Sequence, residues 1–184
     1  MKKTFFLLIL AFISISVFGQ KTTIFTESKD IAQYQSKDRN SFEIDLSIGS
    51  IHLNTNQTKG GLFAEMQNKN LLPIFDAGNP NLPVYSALIE VPQDAEVLFE
   101  ILSSEVQIYK LNDYGLTSKI MPAQPSQRKS IDPADFPFYY NEKVYKTNSF
   151  WKSGDIIFYE EAGQMRDSRL GRIAIRHFEY NQVI

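Results

Sequence analysis

The stretch Gly78-Asn79-Pro80-Asn81-Leu82-Pro83-Val84-Tyr85-Ser86-Ala87-Leu88-Ile89-Glu90-Val91-Pro92 decides how the chain is read, because it sets a proline-stiffened turn directly ahead of a strand. Pro80 and Pro83 fix their own φ and bias Asn79 and Leu82 toward extended backbone. An Asn-Pro pair favours turn initiation. Val84 to Val91 is apolar on both alternating sets except for Ser86 and Glu90, which predicts a central strand covered on both faces over much of its length. Pro92 has no N–H and ends that ladder.

Outward from this stretch the dominant period is two. Phe42, Ile44 and Leu46 alternate with Glu43 and Asp45, and Ile51 and Leu53 flank His52. Val97 to Ile101, Val106 to Leu111, Leu116 to Met121 and Ile173 to Ile175 read the same way. Alternation marks half-buried strands, and short strands at close spacing predict an all-β, antiparallel, jelly-roll-like β-sandwich. The separators suit tight turns: Ile48-Gly49-Ser50, Lys59-Gly60-Gly61 and Asn112-Asp113-Tyr114-Gly115 offer residues that tolerate positive φ. No segment carries a sustained helical stripe, and the polar run Lys29 to Arg39 reads as a short turn or lead-in.

Residues 1–19 resemble an export signal rather than part of the fold. Lys2 and Lys3 precede an apolar run from Phe5 to Phe18, and Val17 and Gly19 are small enough for a cleavage site ahead of Gln20. The expected organisation is a signal peptide over 1–19, a polar lead-in over 20–40 and one β-sandwich over 41–184, with export to the periplasm, the cell surface or beyond. Loss of the leader removes two lysines and no acids, so an acidic excess of two becomes four. That balance argues against nucleic acid as a partner. The chain has no cysteine, so disulfides and thiol chemistry are excluded.

The tract from Met121 to Trp151 reads differently. Four prolines between Pro122 and Pro137 make a ladder strand improbable, while the aromatics from Phe136 to Trp151 provide apolar area for packing. The expectation is one long proline-rich loop that packs part of its length on the sandwich and projects Gln124 to Ser130, centred on Arg128 and Lys129. Catalytic chemistry finds no foothold. The two histidines, His52 and His177, lie far apart and fall on strand-like patterns, no G-x-S-x-G elbow occurs, and no metal or other cofactor is implied. Glu160-Glu161 reads as a pair of strand-end charges.

The order of these motifs resembles the N-terminal prodomain of gingipain-type cysteine peptidase precursors. Gly78, Pro80, Leu82 and Pro83 match its turn, and Ile89, Val91 and Pro92 match the strand end. Tyr139 or Tyr140 with Asn141 and Tyr145 match the close of its proline-rich tract, and Arg169, Gly171, Arg172 and then Tyr180 and Asn181 match its terminal motifs. The chain departs from the pattern at His177-Phe178-Glu179, where a proline is expected, and at Phe150-Trp151-Lys152. The resemblance implies a non-catalytic zymogen domain, truncated before a peptidase domain, that keeps that domain latent and assists its folding. It further implies a loop that carries a basic side chain into the catalytic domain's substrate pocket, by position Arg128 or Lys129, with Lys110, Lys119 and Lys146 as competitors. A sugar-binding or adhesive β-sandwich, stacking pyranose rings on the aromatics between Tyr139 and Trp151, is the alternative reading.

Overall fold

The computed structural model describes residues 21–26, 29, 31–132 and 135–183, so the leader at 1–19 lies outside the described residues. Among the described residues nine strands form: β1 (Lys21–Phe25), β2 (Ile31–Ser36), β3 (Phe42–Ser47), β4 (Ser50–Thr58), β5 (Gly61–Gln67), β6 (Tyr85–Val91), β7 (Lys119–Ile120), β8 (Ile157–Met165) and β9 (Ser168–Ile175). One short helix, α1, spans Glu142–Lys146. The strands make sheets ordered β1-β4-β5-β7, β2-β3 and β6-β9-β8, with every pairing antiparallel except β5 with β7. The all-β, sandwich-like architecture expected from the period-two pattern is what forms.

The core follows from that pattern. On β4 the buried set is Ile51, Leu53 and Thr55, while His52 and Asn54 point the other way. Ile51 and Leu53 pack with Ile24, Ala64, Leu82, Leu116 and Ile120 in one cluster. Trp151, just ahead of β8, and Phe178 and Tyr180, just beyond β9, close over the same cluster, so the approaches to the three-stranded sheet are sealed onto the four-stranded one. Lys59-Gly60 forms the two-residue turn of the β4–β5 hairpin, as its glycines predict.

Several local expectations are corrected. The polar run Lys29 to Arg39 contains β2, which pairs with β3 rather than forming a turn; its alternation is masked by small and polar residues such as Ala32, Gln33 and Gln35. Ile48-Gly49-Ser50 connects β3 to β4 without making them a hairpin, since β4 pairs with β1 and β5. β6 is an edge strand with β9 as its sole neighbour, and Leu88 is 64% exposed, so it is neither central nor covered on both faces. Val97–Ile101 and Val106–Leu111 enter no ladder, although they have the strand period. Between Leu116 and Met121, only Lys119 and Ile120 pair.

The opening turn performs a different task from marking the ends of a central strand. Gly78 sits at φ +85, where its N–H donates to Ala123 O (2.8 Å) and its carbonyl accepts from Asn141 N (2.8 Å). A Cβ there would meet Asn141 N at 3.3 Å and Tyr140 N at 3.4 Å, so glycine is needed for both its backbone angle and its contact. Pro80 bridges Pro122, and Ala123 N donates to Asn79 O (2.8 Å). The turn is therefore a dock for the proline-rich tract.

Candidate functional site

The proline-rich tract leaves the body and returns to it through two anchored legs. The outgoing leg, Met121 to Ala123, is tied to Asn79, Asn81 and Gly78 by main-chain hydrogen bonds. On the returning leg, Lys59 Nζ donates to Phe136 O (3.0 Å), and the Phe138 ring lies 5.5 Å from that of Phe63. Asn141 Nδ2 reaches Asn79 Oδ1 at 2.7 Å, and the Asn141 side chain also caps the first turn of α1 by accepting from Val144 N.

Gln124 ties the two legs together. Its Nε2 donates to Tyr139 O (2.9 Å) and its Oε1 accepts from Tyr139 N (3.0 Å), so one side-chain amide imitates a strand partner. Beyond this cross-tie, every described residue from Pro125 to Asp132 is exposed. The tip is a turn in which Ile131 N donates to Arg128 O (3.2 Å), placing Lys129 and Ser130 at its apex. Neither Arg128 nor Lys129 has an ion-pair partner among the described residues. The competing lysines are placed elsewhere. Lys119 donates to Tyr140 OH (3.0 Å) and lies over the Tyr140 and Tyr145 rings, and Lys146 pairs with Glu142 at 2.6 Å. Lys110 lies outside the loop, just ahead of the turn Leu111–Tyr114.

The tyrosine motifs support the base of this loop. β7 bonds only to β5 and would present Ile120 as an open edge. Tyr145 OH donates to Ile120 O (2.7 Å), and Tyr180 OH accepts from Ile120 N (3.2 Å), so the two phenols satisfy both main-chain groups. Burial pushes both phenols up, Tyr180 to about 12 and Tyr145 further, so each keeps its proton at any physiological pH. Tyr140 stacks on Tyr145 with centroids 4.5 Å apart. A groove of about 520 Å³ opens beside these rings, lined by Leu62, Phe63, Ser118, Lys119, Phe138 and Tyr140. Most of the aromatic tract is thus spent on packing; of the rings offered for sugar stacking, Tyr139 and Phe150 remain exposed.

The terminal motifs are equally structural. The Tyr159 ring crosses Gly171 so closely that a Cβ there would lie 2.2 Å from it. Arg169 joins Glu161 through its Nε and Nη2 and donates from Nη1 to Ala95 O (2.8 Å) and Pro92 O (3.2 Å), fastening the β8–β9 hairpin to the chain leaving β6. Arg172 pairs with Glu160 across the same hairpin, and Asn181 Nδ2 donates to Asn148 Oδ1 (3.1 Å). Both charge clusters were invisible as pairs in the sequence, because β8 itself is broken by a bulge at Glu161 to Gly163. His52, on β4, bonds to Thr23 Oγ1 (3.0 Å), whereas His177, half-buried beyond β9, has both ring nitrogens enclosed without a hydrogen-bond partner among the described residues. The two histidines form no common site, and no group of three metal-ligating side chains assembles among the described residues.

The molecule is thus a β-sandwich carrying a twin-anchored loop with two basic residues at its exposed tip. Residues 20–184 match the Propeptide_C25 family, and the chain belongs to it. It is a propeptide domain, distinct from the catalytic part of a precursor. It is 34% identical over 142 residues to Lys-gingipain from Porphyromonas gingivalis, a match that covers 77% of this chain and 8% of that protein. The chain therefore spans a small fraction of the curated relatives it matches. It also resembles a solved structure of gingipain K from the same organism, described for its zymogenic latency, with TM-score 0.83, 31% identity, and 89% and 90% of the two chains covered. A complex of RgpB pro- and mature domains shares the fold at TM-score 0.66 and 19% identity, with 83% and 75% covered.

Proposed function

We propose that this chain keeps a gingipain-type cysteine peptidase latent during export and assists the folding of its catalytic domain, with residues 1–19 as the export signal. The observation that carries this reading is the loop closed by Gln124 and Tyr139, which holds Arg128 and Lys129 exposed and without ion-pair partners. A stiff segment loses little conformational freedom on binding, and a guanidinium can meet a pocket carboxylate through two parallel hydrogen bonds. Arg128 is the first candidate for the pocket side chain and Lys129, at the turn apex, the second. That the structures it resembles concern zymogenic latency and a pro- and mature-domain complex supports the assignment.

The test is inhibition of the mature peptidase domain by this chain. Inhibition in the nanomolar to micromolar range is expected, with a loss of about a hundredfold when Arg128 and Lys129 are both changed to alanine, as befits a central charged anchor. No inhibition, or inhibition unchanged by the double substitution, overturns the loop mechanism.

A further inference from the structure

Resting on the propeptide reading above, we propose that residues 96–108 are a docking strand, paired along its edge by the peptidase domain of the same precursor. This stretch, Glu96-Val97-Leu98-Phe99-Glu100-Ile101-Leu102-Ser103-Ser104-Glu105-Val106-Gln107-Ile108, has the composition and period of a β-strand or hairpin. It makes no main-chain hydrogen bond among the described residues. Leu98, Leu102, Val106 and Ile108 are 83%, 64%, 81% and 68% exposed. Its ends are nevertheless held: Phe99 contacts the Tyr159 ring at 6.0 Å and Tyr109 packs toward the core. An apolar segment held at both ends, with its N–H and C=O groups open, is a template for edge pairing.

Charge selects the occupant. The segment carries Glu96, Glu100 and Glu105 and neither lysine nor arginine. Two copies paired through it would bring six carboxylates together with no base in either strand, which opposes self-association. The matching surface is an exposed strand with apolar side chains and a lysine or arginine rim. On the propeptide reading the peptidase domain of the precursor supplies that surface; the curated relatives, of which this chain spans 8%, are long enough to hold one.

Amide hydrogen exchange, run on the chain alone and with the mature peptidase domain added, tests this directly. In the chain alone, amides 96–108 are expected to exchange at nearly unstructured rates. In the complex, alternate amides should slow by about a hundredfold or more. Glu100→Lys combined with Glu105→Lys should weaken the complex by about tenfold and reduce the salt dependence of its association rate, with the melting temperature of the chain unchanged. Inhibition of the peptidase without slowed exchange at 96–108 overturns this proposal and leaves the propeptide reading intact. Absence of any complex overturns both. Protection in the chain alone overturns it too, and protection that rises with the chain's own concentration assigns the segment to a second copy.

Discussion

Replacing Gln124 with alanine removes the two hydrogen bonds that hold the legs of the basic loop together. Each is a neutral, solvent-accessible bond worth about 0.5–1 kcal/mol net, so the loss amounts to about 1–2 kcal/mol. The fold keeps its other anchors at Ala123, Phe136 and Phe138, so only part of this reaches global stability, and a fall of about 2–4 °C in melting temperature is expected. The larger effect falls on inhibition, because a loop untied at its base must be ordered when it binds. About 1.4 kcal/mol of added ordering cost corresponds to tenfold weaker inhibition. Gln124→Glu sharpens the test: its carboxylate still accepts from Tyr139 N but faces Tyr139 O without a proton to donate, so it should inhibit no better than the alanine variant. The assay is steady-state inhibition of the mature peptidase domain, with thermal unfolding in parallel. Full inhibition by Gln124→Ala, with the Tyr139 amide shown by hydrogen exchange to be freed, refutes the argument that the cross-tie preorganises the loop.

Tyr145→Phe leaves Ile120 O buried without its donor and should cost about 1–3 kcal/mol in denaturant unfolding, with Tyr145→Phe/Tyr180→Phe costing more than either alone, since the second removes the partner of Ile120 N. Gly171→Ala drives a methyl into the Tyr159 ring and should destabilise by about 1–3 kcal/mol; adding Tyr159→Ala should recover part of that loss, and a Gly171→Ala chain as stable as the parent refutes the packing account. Burial holds His177 down at about 4, from an ordinary value near 6.5. The unfolded chain therefore binds the extra proton first, so this contribution to stability is complete above about pH 6.5, falls as the pH drops toward 4, and falls no further below that. The total is about 3 kcal/mol, and His177→Leu should remove this segment of the pH–stability curve.

Much of the architecture was legible because period-two alternation is a local property. Phe42–Leu46 and Ile51–Leu53 fall within β3 and β4, and Lys59-Gly60 makes the β4–β5 turn. β2 and β8 were not legible: the first is built from small and polar residues, and the second is broken by a bulge around Gly163. The segment 96–108 misled in the opposite direction. It has the pattern, but a pattern states only that a segment is fit to pair, and it joins none of the described sheets.

From the residues alone came an all-β chain without cysteine, the expectation of an export signal over 1–19, a proline-rich loop interrupting its strands, and the motif order of a propeptide family. Those are consequences of side-chain period, of proline and glycine backbone limits, and of composition, and all of them act within a few residues of chain. Tertiary structure alone decided that Gly78 to Pro83 is a dock for the tract that follows Met121, that Gln124 closes the loop, and that Tyr145 and Tyr180 complete the edge of β7. Each depends on groups far apart in sequence meeting at about 3 Å, a coincidence that only the packed chain can specify.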